Sequence, residues 1–131
     1  MFSHIFVGVK DFDRAFDFYG KLMEILGTTL RFCDRKRPWA GWQSHPEPRP
    51  LFLIGEPYDG NEHEAGNGQM VAFAVERRST VDTAYRAALE SGGTSEGRPG
   101  LRPEYHEHYY AAYIKDPEGN KLCIVCHKPE A

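Results

Sequence analysis

The sequence predicts an α+β fold in which two similar modules, each with the order βαβββ, follow one another along the chain. The first observation is a repeat, because a shift of 66 residues places Val9 over Val75 and Tyr19 over Tyr85. In the same alignment Glu24, Gly27 and Thr28 lie over Glu90, Gly93 and Thr94. The second observation is that each copy opens with an apolar run of strand length and continues with a helical stripe. A tandem duplication explains both observations.

The first module is predicted at about residues 1–56. It opens with His4–Val9, whose length and content of Val, Ile and Phe favour a strand. Apolar side chains then recur at helical spacing at Phe12, Ala15, Phe16, Tyr19, Leu22, Met23 and Leu26. Asp11 is placed to cap this helix and Gly27 to end it. The compact apolar run Leu51–Ile54 predicts another strand.

A linker rich in glycine and asparagine is predicted at about 57–67, and the second module at about 68–128. Met70–Val75 is its opening strand. A helical stripe then contains Val81, Ala84, Tyr85, Ala88 and Leu89. Ser79 is the predicted cap of this helix, and a glycine pair ends it.

Two strands complete the second module, at Tyr109–Ile114 and Leu122–Cys126, with a turn over Asp116–Asn120 between them. Modules of this kind are expected to form a curved mixed sheet with the helices on its outer face. The concave side of such a sheet is a central cleft suited to a small ligand. The 131 residues are therefore interpreted as a single domain.

The composition favours a cytoplasmic protein that binds neither nucleic acid nor membrane. The formal net charge is −3 and the basic residues are scattered along the chain, so no basic patch for nucleic acid is evident. No apolar run approaches the roughly 20 residues needed to span a bilayer, and no secretory leader is recognised. Three cysteines are too few, and odd in number, for a secreted disulfide framework.

Several motifs along the chain carry a family resemblance. They are the strand ending at Val9 with a helix through Phe18-Tyr19, Gly66-Asn67-Gly68 before Met70, Asp116-Pro117-Glu118-Gly119-Asn120, Gly100-Leu101-Arg102-Pro103, Tyr105-His106, Tyr109–Ala112 and Val125-Cys126-His127. Together they resemble the vicinal oxygen chelate superfamily of glyoxalase I, bleomycin-resistance and extradiol dioxygenase proteins. The later motifs are similar to a bacterial glyoxalase-like subgroup.

The resemblance implies a divalent metal held by His and Glu, which would polarise a substrate oxygen. His4 falls on the first ligand position of the family. Met70 and Cys123 fall where the family commonly has His and Glu, and Leu51–Ile54 contains no carboxylate. Zn, Ni, Fe or Mn on His4 and Cys123 therefore remains a candidate, but the ligand set is degraded and no cofactor is expected.

Two of these residues also have simpler interpretations. Cys123 could be a small core residue of the last strand, and His4 could be a hydrogen-bonded polar group. Cys123, Cys126 and His127 also match the spacing of a haem-attachment signature. In a strand, however, residues three apart point to opposite faces, so we interpret this match as accidental.

The segment around His106 supplies the other candidates. His106 could act as a general base near neutral pH, pair with His108 on a metal, or lie in a solvated loop. Arg102 could bind a carboxylate or phosphate of a ligand, or pair with a neighbouring carboxylate at Glu104 or Glu107.

Two aromatic residues complete the predicted site. Tyr109 is expected to bind ligand beside His106. Trp42, which we place with Trp39 in a long proline-rich loop, could cap a ligand or cover the core.

Two functions remain open, both with a small molecule as partner. The first is glyoxalase-like action on a small metabolite, by a lactoylglutathione-lyase-like or related lyase or isomerase. The second is metal-free binding and sequestration of a small molecule, of the antibiotic-resistance kind. The resemblance also implies a homodimer, with the half-sheets paired either within the chain or across the dimer so that no long sheet edge stays open.

Overall fold

The computed structural model describes residues 1–130 and contains two compact units, the first Met1–Gly66 and the second beginning at Asn67. The first unit comprises β1 (His4–Gly8), α1 (Phe12–Leu26), β2 (Thr29–Asp34), β3 (Trp39–Gln43) and β4 (Leu51–Gly55). The second comprises β5 (Val71–Val75), α2 (Arg78–Glu90), β6 (Thr94–Leu101), β7 (Tyr110–Lys115) and β8 (Lys121–Cys126). The predicted α+β class and the βαβββ order of both modules are confirmed.

Each unit is built on a four-stranded mixed sheet with the same strand order, β1-β4-β3-β2 in the first and β5-β8-β7-β6 in the second. In both sheets the first strand pairs in parallel with the last, and the other neighbours are antiparallel. A parallel pair requires a crossover connection, and the helix lies in that connection. The shared topology is the structural form of the repeat seen in the sequence.

Helix α1 begins and ends where the sequence predicts. The Asp11 side chain accepts a hydrogen bond from the Arg14 backbone N–H at 3.1 Å, which satisfies one of the free amides of the first turn. Gly27 follows the helix with φ of 80°, a left-handed conformation that glycine adopts without steric cost. The buried face of α1 includes Phe18 and Tyr19.

Helix α2 begins at Arg78, so the predicted cap at Ser79 was wrong. Ser79 lies inside the first turn, where its backbone carbonyl accepts a hydrogen bond from the Thr83 hydroxyl at 3.0 Å. The cap position is occupied by Arg77, whose side chain makes no capping hydrogen bond. Burial of Val81, Ala84 and Ala88 against the sheet therefore carries the stability of this helix.

Trp39 and Trp42 lie in strand β3, and their prediction in a loop was wrong. Of the four prolines that predict the loop, Pro38 precedes this strand, and the other three follow it at positions 46, 48 and 50. The Trp42 side chain is 3% exposed, and its ring lies 6.4 Å from those of Tyr19 and Phe52. It therefore belongs to the core between α1 and the first sheet.

No helix within residues 1–130 is both long and apolar enough to cross a membrane.

Candidate functional site

The second sheet has one face under α2 and one facing away from it. On the covered face the Tyr110 hydroxyl donates to Asp82 Oδ1 of α2 at 2.6 Å. Side chains alternate along a strand, so the neighbours of Tyr110 on β7 point the other way. We call the opposite side the α2-distal face. Its buried centre consists of Ala111, Cys123 and Val125, with Tyr109 and Tyr113 packed against them.

Two tyrosines and a cysteine form a hydrogen-bonded cluster on this face. Tyr113 lies directly opposite Cys123 in the β7–β8 register. The Tyr109 hydroxyl oxygen lies 3.0 Å from that of Tyr113 and 3.9 Å from Cys123 Sγ. The Cys123 side chain is fully buried. The cluster therefore presents phenol rings at the surface, with the thiol beneath them.

Burial raises the pKa of the Cys123 thiol, although hydrogen bonds from Tyr109 and Tyr113 oppose the shift. Burial also raises the pKa of the Tyr109 and Tyr113 phenols. All three groups are consequently protonated at neutral pH. A thiol in this state is a poor nucleophile and a poor metal ligand, because the thiolate performs both functions.

Two cations flank the Tyr113 ring. Arg102 Cζ lies 5.5 Å from the ring centroid and Lys121 Nζ lies 5.6 Å from it, distances typical of cation–π contacts. Arg102 Nη1 donates to the Gly100 carbonyl at 2.8 Å, and Nη2 donates to the Arg98 carbonyl at 2.7 Å. The alternative pairing of Arg102 with Glu104 or Glu107 is absent from residues 1–130, where neither Arg102 nor Lys121 forms a salt bridge.

His106 and His127 are joined by a hydrogen bond at the edge of the same face. His106 Nε2 lies 2.9 Å from His127 Nδ1, and the two rings stack with centroids 5.1 Å apart. The His108 backbone N–H donates to His106 Nδ1 at 3.1 Å. Both imidazoles also meet the Tyr109 ring edge-on, at 5.6 Å and 5.5 Å. The pair thus adds polar ring nitrogens to the tyrosine surface.

The α2-distal face brings together four of the predicted site residues, namely Arg102, His106, Tyr109 and Cys123. Lys121 and His127 were missed by the sequence prediction. The alternation along β8 is the signal that would have found them, because positions 121, 123, 125 and 127 share one face when the strand is extended beyond Cys126.

Two predicted residues, His4 and Trp42, belong to the first unit. His4 begins β1 with an exposed side chain, and its Nδ1 lies 2.9 Å from the Ser3 hydroxyl. Trp42 packs against α1 and is excluded from solvent.

The donors at the family's ligand positions do not fit a divalent metal. Met70 offers an exposed thioether, which is a weak and neutral ligand. Cys123 offers a buried thiol whose raised pKa disfavours the thiolate. Residues 1–130 contain no group of three or more His, Cys, Asp and Glu side chains arranged to hold a metal ion.

A groove in the first unit is a second candidate for ligand binding. It is lined by Lys10–Arg14, Arg35 and Pro38. Its cations are engaged, since Lys10 Nζ lies 2.6 Å from Glu62 Oε1 and Arg35 pairs with Asp13. The α2-distal face is better suited to bind a ligand, because it combines aromatic rings with cations that form no salt bridge.

Comparisons with known proteins agree on one family. The family model described as Glyoxalase/Bleomycin resistance protein/Dioxygenase superfamily matches residues 1–124. A solved glyoxalase/bleomycin resistance protein from Albidiferax ferrireducens T118 is 32% identical, with a TM-score of 0.85 and coverage of 96% of this chain and 98% of that chain.

Two more distant structures share the fold. A glyoxalase/bleomycin resistance protein/dioxygenase family enzyme from Burkholderia phytofirmans PsJN is 18% identical with a TM-score of 0.70, covering 96% of this chain and 98% of that chain. A putative glyoxalase from Bacillus halodurans is 18% identical with a TM-score of 0.71, covering 96% and 95%. A search of curated proteins gave no match.

Proposed function

Because the chain belongs to the glyoxalase/bleomycin resistance protein/dioxygenase superfamily, we propose that it binds a small organic molecule without a metal, on the α2-distal face of its second sheet. The observation that carries the proposal is the Tyr109–Tyr113 pair over the buried Cys123, with Arg102 beside the Tyr113 ring. Such a surface suits a planar or partly aromatic molecule, because tyrosine combines a large apolar ring with a polar hydroxyl.

The residues present at the family's metal positions support metal-independent binding. His4 is retained, whereas Met70 and Cys123 stand in place of His and Glu. A neutral thioether and a protonated thiol offer little to the borderline ions that imidazole and carboxylate hold well. We therefore propose a degraded metal site, no cofactor, and affinity that comes from stacking and hydrogen bonds.

A metal-independent lyase or isomerase is the second candidate, favoured by the His106–His127 hydrogen bond. A histidine pair beside a ligand surface can move a proton to or from a bound molecule. Exchange of an acidic C–H of a bound ligand into heavy water, followed by NMR, separates the two functions. Exchange lost in His106→Ala supports an enzyme, and binding without exchange supports a binding protein.

A thermal-shift screen of aromatic and heteroaromatic metabolites tests the proposed binding, followed by variants on any compound that binds. We expect Arg102→Ala to weaken binding by about 1–3 kcal/mol, since its guanidinium lies beside the ring surface. Arg86→Ala is the matched control, because Arg86 lies on α2 with an exposed side chain and removes the same charge. Equal affinity in wild type, Arg102→Ala and Arg86→Ala would exclude this face.

We also propose a cytoplasmic homodimer. Cys33, Cys123 and Cys126 are all free thiols, as is typical of proteins in a reducing compartment. Each sheet ends in two edge strands, and unpaired strand edges favour association with a second copy. Light scattering that gave the 14.9 kDa of one chain at micromolar concentration would contradict the dimer.

A further inference from the structure

We infer that the ligand of the α2-distal face is an organic anion, whose carboxylate or similar oxyanion is bound by Arg102 and Lys121 beside Tyr113, while His127, beside Tyr109, donates to another ligand oxygen. This inference rests on the proposed function and adds to it a chemical class of ligand. Lys121 and His127 become binding residues that the sequence did not predict in the site. Three features of this face select an anion: the placement of two cations, the hydrogen bonds of Arg102, and the direction of the hydrogen bond between the two histidines.

The first step is the charge around Tyr113. Arg102 and Lys121 approach the ring at 5.5 Å and 5.6 Å, and within residues 1–130 neither has a carboxylate partner. Other lysines of the same unit are engaged, because Lys115 pairs with Glu96 and Lys128 with Glu76. The chain as a whole carries a net charge of −3. The positive charge at Tyr113 is therefore a local feature, and it complements an anion.

The second step is the preorganisation of Arg102. Its Nη1 and Nη2 each donate one hydrogen bond to a β6 carbonyl, which fixes the plane of the guanidinium. A guanidinium has five N–H donors, so three remain for a ligand. A fixed fork of donors suits the two oxygens of a carboxylate and loses little entropy on binding.

The third step is the polarity of the histidine pair. The His108 backbone N–H donates to His106 Nδ1, so in neutral His106 the ring proton must be on Nε2. That proton then points at His127 Nδ1, 2.9 Å away. His127 Nδ1 is thereby the acceptor, and neutral His127 carries its own proton on Nε2. His127 Nε2 is therefore a hydrogen-bond donor, and a donor requires an acceptor such as a ligand oxygen.

Matched acids and amides test the inference directly. Isothermal titration calorimetry would compare 2-naphthoate with 2-naphthamide, and benzoate with benzamide, because each pair differs in charge and little in shape. We expect the acids to bind at least about 10-fold more tightly, since a charge-assisted hydrogen bond exceeds a neutral one. Added salt should weaken binding of the acids and leave binding of the amides unchanged.

Variants assign the preference to residues. We expect Lys121→Gln to weaken binding of the acids by about 10-fold while leaving binding of the amides within about 2-fold. Arg102→Gln should do the same if it folds. Arg102→Gln removes two hydrogen bonds to β6 and could therefore affect folding. Lys121 is exposed, so Lys121→Gln keeps the test independent of folding. Arg86→Gln is the control and should change neither class.

The outcomes separate the two proposals. Acids and amides that bind equally well would overturn the organic-anion inference and leave the proposed binding function intact. Absence of binding by all four probes would overturn both. Long-range ¹H–¹⁵N NMR adds a readout that needs no ligand. We expect the neutral rings of His106 and His127 to be protonated on Nε2. A His106 ring protonated on Nδ1 would contradict the donor assigned to His127.

Discussion

The hydroxyl oxygens of Tyr109 and Tyr113 lie 3.0 Å apart on the α2-distal face, above the buried thiol of Cys123. One hydroxyl donates and the other accepts, so the two rings are held in fixed positions relative to each other. The same arrangement protects the thiol and exposes ring surface for binding. Stability, cysteine reactivity and ligand recognition are therefore linked through these two residues.

The first prediction concerns the Tyr109–Tyr113 hydrogen bond. Replacing either residue with Phe keeps the ring and removes one hydroxyl, so each variant should lose about 0.5–1.5 kcal/mol of unfolding free energy. Tyr109→Phe/Tyr113→Phe should lose less than the sum of the two, because both single changes break the same bond. Urea unfolding measures all three. Tyr58→Phe is the control, since Tyr58 is fully exposed; strict additivity in the double variant would contradict the bond.

The second prediction concerns the cysteines. Burial raises the pKa of the Cys123 thiol, and the thiolate is the reactive form. We expect native protein treated with iodoacetamide to be alkylated at Cys33, which is exposed, and at least about 10-fold more slowly at Cys123. Peptide mass spectrometry measures each site. Equal rates at Cys33 and Cys123 in folded protein would contradict the buried cluster.

The third prediction is a loss of stability at high pH. Burial, and then the hydrogen bond donated to Asp82, raise the pKa of Tyr110 from 10.0 to about 12. A pKa raised by folding contributes stability that is complete below the unfolded value and is lost as pH rises through the folded value. The unfolding free energy should therefore fall between pH 10 and about pH 12.

Tyr110→Phe should flatten part of this pH dependence. Burial raises the pKa of Tyr109 and Tyr113 too, so some dependence persists in Tyr110→Phe. Chemical unfolding across this pH range provides the measurement. A Tyr110→Phe curve parallel to that of wild type would show that the Tyr110 phenol does not ionise at a higher pH in the folded state than in the unfolded state.

The fourth prediction compares two aspartates in turns. Asp116 is 3% exposed, and its carboxylate accepts hydrogen bonds from the Glu118 and Asn120 backbone amides at 2.8 Å and 2.9 Å. Asp59 binds the Asn61 backbone and side chain in the same manner but is exposed. Asp116→Ala removes a buried acceptor from partly buried backbone donors and should cost about 2–4 kcal/mol.

Asp59→Ala should cost less than about 1 kcal/mol, because water replaces the lost acceptor at an exposed turn. Thermal unfolding of the two variants side by side gives the comparison. Similar losses in both would mean that burial of the turn before β8 does not govern its stability.

The element order could be predicted because the two copies share identical residues at a constant offset. In each copy an apolar run of strand length is followed by apolar residues at helical spacing. Strand β6 was harder to predict, since Gly97, Pro99 and Gly100 interrupt any alternation and the pairing with β7 shifts register there. The start of α2 was predicted incorrectly because Ser79 has the chemistry of a cap but lies inside the helix.

The candidate site followed from the sequence only in part. Arg102, His106 and Tyr109 are close along the chain, so their proximity is local. Lys121 and His127 join them through the β7–β8 register, which places Tyr113 opposite Cys123. Alternation along β8 places both residues on the face of Cys123, but their proximity to Arg102, His106 and Tyr109 depends on pairing between distant segments, which no single motif encodes.

Mapping of a bound probe by ¹H–¹⁵N NMR tests the central claim most directly. Titration with 2-naphthoate should shift the backbone amides of Arg102, Tyr109, Tyr113, Lys121 and His127, with saturation at one stoichiometric site. The amides of Lys10–Arg14, which line the groove of the first unit, should remain unshifted. Shifts confined to that groove, or no shifts at all, would contradict binding on the α2-distal face.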